Sequence, residues 1–261
     1  MTMGDQNRKT PSSLSTTETS LAIVEKIRAH NGIRLRTLTE ELDLSKSTVH
    51  AHLTTLRNNR YVVKEGEFYH LGLKFFELGE YVISRKDIYE IAEQEVNALN
   101  KRVDQIADFS VEEHGRVLSL YSELYNTQSS FLSDRRTFYM HNTASGKAIL
   151  AEFSKSKVEK VIDRWGLPSE TEYSISTLDE LYMELEETQE RGYAINDEEV
   201  VTGLFSVAKP VMHTDGRVCG AVSLDSPKYR INNDSINEFA SQLDQTVQNI
   251  EQKLDDGSYS I

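Results

Sequence analysis

Apolar and polar positions alternate along this chain with two distinct periods. Leu21, Val24 and Ile27, with Ala22 and Ile23 widening the stripe, predict a helix capped by Thr19 or Ser20 and ended at Asn31-Gly32. Leu38 and Leu42 mark a second, short helix that breaks at Asp43-Leu44. Ser45 opens a third, because a serine hydroxyl at the N-cap accepts from an otherwise unsatisfied amide of the first turn. In that helix Val49, Leu53 and Leu56 fall at i, i+4 and i+7, one buried stripe. Two short β-prone runs, Tyr61-Val62-Val63 and Phe68-Tyr69-His70-Leu71, flank a turn containing Gly66 and predict a hairpin. Helix, turn, helix and hairpin in this order read as a winged helix-turn-helix.

An apolar segment follows, Gly72 to Ile83, in which Leu73, Phe76, Tyr81 and Ile83 have too little company to form a core of their own. It reads as a linker helix that pairs with its copy in a second subunit, or else packs on its own winged unit; we favour the former. From Ile88 to about Arg102 an amphipathic helix carries Ile91, Val96 and Leu99. Hairpin signals at His114-Gly115 and Asp215-Gly216, strands at 138–141, 193–196, 206–212 and 218–225, and helices at 147–153, 155–164, 178–191 and 235–254 complete the pattern. Strands and helices so mixed predict an α+β fold: an antiparallel sheet flanked by helices. The predicted organisation is a disordered arm over 1–17, a DNA-binding domain over 18–72, a linker or dimerisation helix over 73–87 and a sensor domain over 88–256.

The third helix suggests the chemistry. Ser47, His50, Ala51, Thr54 and Asn58 lie opposite its leucines, with Lys46 and Arg57 at the flanks. Small hydrogen-bonding side chains with basic neighbours suit a helix laid in a DNA major groove. Arg36, Ser45, Lys46, Ser47, Thr48, His50, Ala51, Thr54, Arg57 and Lys64 are therefore the candidate contacts to double-stranded DNA. Arg34 reads equally as a phosphate contact or a plain surface arginine, and Arg8 and Lys9 are too few for a minor-groove arm. The bland alternative is a helical hairpin with a ribbon attached; agreement among face, cap and wing favours DNA.

Charge looks discordant until it is located. The net charge is −13, yet between Leu21 and Glu80 nine Lys and Arg stand against eight Asp and Glu. The acidic excess lies downstream, where it repels non-specific DNA and keeps the protein soluble. A chain adapted to high salt shows the same excess. No run of about 18 apolar residues exists, so no membrane span is expected. The first twenty residues lack the apolar core of a secretory signal, and a cytoplasmic location is expected. The one cysteine, Cys219, excludes an internal disulfide and a multi-cysteine zinc site.

Catalytic patterns are missing. There is no Gly-x-Ser-x-Gly, and Ala144-Ser145-Gly146-Lys147 lacks the upstream glycine of a phosphate loop. His50 and His52, at i and i+2, sit on different helix faces. No catalytic residue, metal or cofactor is predicted, and Glu184, Glu186, Glu187 and Glu190 read as a solvated acidic face. An enzyme with an N-terminal interaction module remains the alternative, with His141, Ser145 and Asp225 as its only candidate groups. The small residues of His141–Lys147 lead directly into a helix. Amides at such a terminus bind anions, but a capped helix explains the pattern equally well.

With these residues in view the chain, from about Thr19 to Leu254, resembles the IclR family of transcriptional regulators. LSKSTVHAHLTTLRNNRYV is similar to that family's recognition region. His141 through Leu150 resembles its effector-loop signature. Arg191 through Glu199, followed by Gly203-Leu204 and Ala208-Lys209-Pro210-Val211, resembles its C-terminal pattern. The resemblance implies a DNA-binding homodimer or tetramer with a GAF-like domain that binds a small metabolite, often an organic acid or a sugar or aromatic catabolite. It implies an effector pocket drawing on Thr143, Ala144, Ser145, Gly146, Asn196, Gly203, Leu204, Ser206, Ser223 and Asp225. There are departures. Ala51 stands where family members often carry Arg, Asn196 where Asp is frequent, Asp225 where Ser is frequent, and Phe205 where Arg is frequent. An aspartate in the pocket repels a carboxylate and accepts from hydroxyls, so the expectation leans to a polyol or sugar-derived effector over a small keto acid.

Overall fold

The computed structural model describes residues 13–122 and 135–256. Most of the predicted N-terminal arm, with Arg8 and Lys9, lies outside the described residues. The chain divides into two compact units, Met1–Val82 and Ile83–Ile261.

In the first unit α1 spans Ser15–Ala29. It begins before the predicted cap, so Thr19 and Ser20 are inside the helix, and residues 15–17, expected to end the arm, are helical. Leu14 stands at the N-cap without a side-chain bond. Ser20 does a different job: its hydroxyl pairs with His52 Nδ1 at 2.8 Å. β1 (Ile33–Arg34) and α2 (Leu35–Leu42) follow. Asp43 takes the left-handed conformation, φ 50°, that turns the chain into α3 (Lys46–Asn58). Ser45 caps α3 as expected, accepting from the Thr48 N–H at 3.1 Å. The wing is β2 (Val62–Glu65) and β3 (Phe68–Leu71), and β1 adds a third strand the pattern did not reveal, in the order β1-β3-β2. Ile23, Ile27, Ile33, Leu38, Val49, Leu53, Val62 and Tyr69 form the core. Gly32 is obligatory there: φ is +110°, and a Cβ would meet the His70 ring at 2.1 Å.

Helix α4 covers Lys74–Ser84, and the division between the two units falls inside it, within the 73–87 segment expected to link them. No residue of α4 is buried. Leu73 is 85 % exposed, Phe76 and Tyr81 63 % each.

The second unit is one antiparallel sheet with helices on both faces. Its elements are α5 (Asp87–Asn100), β4 (Ile106–Glu113), β5 (Arg116–Ser122), β6 (Thr137–Tyr139), α6 (Ala144–Ala151), α7 (Lys155–Trp165), α8 (Leu178–Arg191), β7 (Ala194–Asp197), β8 (Leu204–Met212), β9 (Val218–Pro227) and α9 (Asn233–Asp255). The strand order is β6-β5-β4-β9-β8-β7. Alternation decides the faces. Ala107, Phe109, Val111, Val207, Val222 and Leu224 point to α5 and α9, where they pack with Leu99, Phe239, Leu243 and Ile250. The opposite positions are small: Ala194, Ala208 and Ala221 meet α6 and α8 through Ala144, Ala148, Ile149 and Leu181. Helix α6 starts at Ala144, three residues earlier than expected, because Thr143 caps it by accepting from the Gly146 N–H at 3.1 Å. Helix α8 has the predicted bounds, set by a Thr177–Glu180 capping box and by Gly192 in the left-handed conformation.

Candidate functional site

The first candidate surface is α3 and the groove beside it. Packing Val49 and Leu53 into the core leaves Ser47, His50, Ala51, Arg57 and Asn58 exposed and Thr54 half-exposed. Thr54 Oγ1 donates to the His50 carbonyl at 2.8 Å, so its methyl is the group left to present outward. At the N-terminus of α3 the hydroxyls of Ser45, Ser47 and Thr48 join in one cluster, each link 2.8 Å. Lys46, from the same turn, faces Arg34, Arg36 and Lys64 across a groove between the helices and the wing that Thr39, Glu67 and Tyr69 also line. Four cations around one groove match the electrostatic footprint of a duplex backbone. Arg34 lies over the Phe68 ring at 4.7 Å and Lys64 over Tyr69 at 5.6 Å, which hold both side chains against the wing. Arg36 pairs with Glu40 at 2.8 Å, an exposed bridge easily exchanged for a phosphate.

The second candidate site is a cavity between the sheet and α6. Where an apolar sheet face would carry valines, this one carries serines, and register places them side by side. Asn196 pairs with Ser206 and Ser206 with Asp225; Ser223 pairs with Asp108, and Ser110 with Ser119. The result is a polar row across five strands, closed by Thr143, Ala144 and Ser145 at the start of α6, with Val117, Phe138, Val200 and Leu204 supplying apolar wall. The cavity measures about 60 Å³, several times the room one water needs. Of the ten positions expected to form a pocket, Thr143, Ala144, Ser145, Asn196, Leu204, Ser206, Ser223 and Asp225 line it. Gly146 and Gly203 do not. A Cβ at Gly146 would strike the Met140 carbonyl at 2.3 Å, so this glycine serves packing. Gly203, at φ +87°, forms a turn whose N–H donates to Glu198 Oε2 at 2.7 Å.

Asp108, Ser110 and Ser119 were missed by the sequence reading. Each sits at an inward position of a strand that otherwise looked ordinary; the only signal was polar residues at buried-face spacing. Asp108 is buried and accepts from both Ser110 and Ser119. Burial nonetheless pushes its carboxyl up to about 6, against those hydrogen bonds. Burial pushes Asp225 up to about 7, and the nearby Asp108 adds to the rise.

Behind the cavity lies a charge cluster that sequence reasoning also missed. Lys147 is 2 % exposed, with Nζ 2.5 Å from Glu199 Oε1 and 3.3 Å from Glu184 Oε1. Arg191 reaches the same Glu184 oxygen at 3.2 Å. Glu184 is therefore not part of a solvated acidic face, although Glu186, Glu187 and Glu190 are exposed. Burial pushes Glu199 up to about 7 despite Lys147. Asn196 joins cluster and cavity: its carbonyl accepts from the Glu199 N–H at 2.9 Å while its amide faces Ser206 Oγ at 3.3 Å. His141 is buried, with Nε2 3.2 Å from the Pro168 carbonyl, and does not line the cavity that Ser145 and Asp225 share. Burial holds its imidazole below the ordinary value. Of the three groups of the enzyme alternative, Ser145 and Asp225 thus share the cavity and His141 stands outside it.

The chain matches the IclR helix-turn-helix domain over residues 18–66 and the C-terminal domain of bacterial IclR transcriptional regulators over residues 80–252. It belongs to the IclR family of transcriptional regulators. A probable HTH-type transcriptional regulator, ArcR of Halobacterium salinarum, is 32 % identical over 242 residues that cover 91 % of each chain. The Thermotoga maritima IclR crystal structure superposes with a TM-score of 0.76 at 23 % identity, covering 93 % of this chain and 99 % of that one. An IclR homologue from Microbacterium hydrocarbonoxydans, crystallised with 4-hydroxybenzoate, gives a TM-score of 0.75 at 18 % identity, covering 91 % and 100 %. As an IclR-family member the protein is a DNA-binding transcription regulator, its helix-turn-helix followed by the family's C-terminal domain. No helix among the described residues is long and apolar enough to cross a membrane.

Proposed function

We propose that this IclR-family regulator binds its operator as a homodimer, or as a tetramer built from dimers, and that a small metabolite in the second unit's cavity modulates that binding. The observation that carries the reading is the polar row from Asn196 to Ser119, enclosed between an otherwise apolar sheet face and α6. A cavity lined by hydroxyls and carboxyls inside a core costs stability unless something polar occupies it. That the Microbacterium relative was crystallised with 4-hydroxybenzoate supports a ligand role for this fold. The ligand of the present chain is hydroxylated, sugar-derived in preference to a plain organic acid, because Asp108 and Asp225 accept from hydroxyls and repel carboxylates. A cytoplasmic location accompanies this role. The bare apolar face of α4 supports self-association.

The reading is tested by filling the cavity. Ser223→Phe places a ring where the metabolite would sit. The expected variant binds upstream DNA like the parent in fluorescence anisotropy but no longer changes affinity when metabolite extract is added. An unaltered response to extract in a folded Ser223→Phe protein would remove the cavity from the mechanism.

A further inference from the structure

The antiparallel pair β4 and β9 comes apart at one end. Its ladder runs from Ile106↔Asp225 to Ser110↔Ala221, yet β4 continues to Glu113 against β5, and β9 begins at Val218 against β8. Val111 and Glu112 therefore stand beside Val218, Cys219 and Gly220 with no ladder pairing between them, and the sheet is forked there. At the base of the fork a Cβ on Gly220 would strike the Phe109 ring and the Ser110 carbonyl at 2.7 Å, so only glycine closes it. Beyond it lies a second cavity of about 200 Å³ that shares no lining residue with the first. A fork opens both faces of a sheet at once. Ile88 and Tyr89 reach this one from α5, and Ile149 and Phe153 reach it from the last turn of α6 and the residues just after it.

The rim of this cavity runs against the charge around it. The second unit carries 32 Asp and Glu against 18 Lys and Arg, yet Lys86, Lys157 and Arg217 line the cavity against Glu112 alone. Both lysines lie over aromatic lining: Lys86 Nζ is 5.5 Å from the Tyr89 ring centroid and Lys157 Nζ 3.3 Å from that of Phe153. Arg217 is held by Asp215 at 2.7 Å and Lys157 stands 3.9 Å from Glu112, whereas Lys86 has no ion pair among the described residues. Three bases against these two acids leave one positive charge over. A single carboxylate balances it; a phosphate monoester, at about −1.5 to −2, exceeds it. Size limits the rest of the ligand. An apolar cavity of about 150 Å³ takes benzene, so this one has room for a ring and one small substituent. We propose that the fork binds a small aromatic monocarboxylate, its ring among Tyr89, Val111, Ile149 and Phe153 and its carboxylate toward Lys86 and Lys157 at the rim. No bond is made or broken, and the first cavity stays free for its own ligand.

Cys219 makes the fork its own reporter. It is the only cysteine of the chain, and it lines this cavity. Burial pushes its thiol up, so alkylation of the full chain by iodoacetamide is followed at about pH 8.5, where lysine still carries its charge. Benzoate is expected to slow that alkylation about fivefold or more at saturation, while benzyl alcohol and benzylamine at the same concentration leave the rate within about twofold. Lys86→Gln is expected to raise the half-protecting benzoate concentration about tenfold, and Lys157→Gln repeats the test at the second lysine should the first variant fold poorly. Ser223→Phe, which fills the first cavity, is expected to leave the protection intact. If benzoate does not slow the alkylation, or if benzyl alcohol slows it equally, the assignment is overturned. Protection that survives both lysine changes overturns it as well, and its loss in Ser223→Phe would place the ring acid in the first cavity instead. None of these failures touches the effector role proposed for that first cavity.

Discussion

Asp225 is held against its chemistry. Its carboxyl sits at about 7 in the folded chain, against an ordinary value of 3.8, because burial outweighs the hydrogen bond from Ser206. A raised carboxyl destabilises the fold once the unfolded chain ionises. Below pH 4 both states carry the proton and there is no penalty; the penalty grows as pH rises and is complete above about 7. Asp225→Asn is therefore expected to stabilise the ligand-free protein at pH 8 by on the order of 1–3 kcal/mol, with the gain vanishing near pH 4. Thermal melts followed by circular dichroism across that range check it; a gain that is equal at both ends would contradict the assignment. His50 makes the corresponding argument on DNA. It is exposed on α3, and its side chain is free to meet a base edge when the helix enters the groove. His50→Ala is expected to weaken specific operator binding by ~1–3 kcal/mol and leave non-specific binding nearly unchanged. Competition anisotropy with specific and random duplexes measures both, and equal losses on the two would make His50 a backbone contact instead.

At the scale of elements, α6 shows what burial can demand of a lysine. Lys147 ties the helix to Glu199, in the turn after β7, and to Glu184 on α8. Removing one partner of such a cluster strands the others, so Lys147→Ala is expected to cost about 3–5 kcal/mol. Lys147→Met, which fills the volume, still leaves Glu199 without its partner, but Lys147→Met combined with Glu199→Leu is expected to recover most of that loss. Urea unfolding of the three variants tests this, and a double variant no better than Lys147→Ala would show that the cluster contributes more than its charges. None of this was legible in the chain. Ser145-Gly146-Lys147 reads as a failed phosphate loop, because a single sequence does not show that Glu184 and Glu199, 37 and 52 positions away, close around it. What was legible is local. The stripe Val49, Leu53, Leu56 with its Ser45 cap, the wing around Gly66 and the bounds of α8 all follow from neighbours within one or two turns. Residues whose roles depend on strand register escaped: β1 is too short to show a period, and Asp108 looks like any polar position until β9 lies beside it. The start of α1 escaped because Ser15–Thr19 resembles a cap-rich linker, and polarity on an exposed first turn does not prevent a helix.

For the molecule as a whole, the net charge of −13 sets the terms of assembly. Two copies repel each other and repel DNA everywhere except at the first units, where bases and acids nearly balance. The proposed self-association thus needs an apolar contact, and the proposed dimer would set two reading heads at the spacing of half-sites. In that proposal helix α4 supplies the contact. Phe75 is engaged inside its own unit, edge-on to Tyr61 at 5.3 Å, whereas Leu73, Phe76 and Tyr81 are left 63–85 % exposed. Covering one such side chain contributes about 1.5–3 kcal/mol, and in the proposed dimer an isologous pair would cover Leu73 and Phe76 of both copies. A single negative charge at the centre of that contact would be duplicated by the symmetry. Phe76→Asp is therefore expected to convert dimer to monomer in sedimentation velocity, to leave the melting of the winged unit nearly unchanged because Phe76 is 63 % exposed, and to lower operator affinity by more than about a hundredfold, since a lone winged unit forfeits half of its contacts. Higher salt screens the introduced charge and is expected to restore part of the dimer. A Phe76→Asp protein that still sediments as a dimer would place self-association on another surface and leave α4 uncovered for a different purpose.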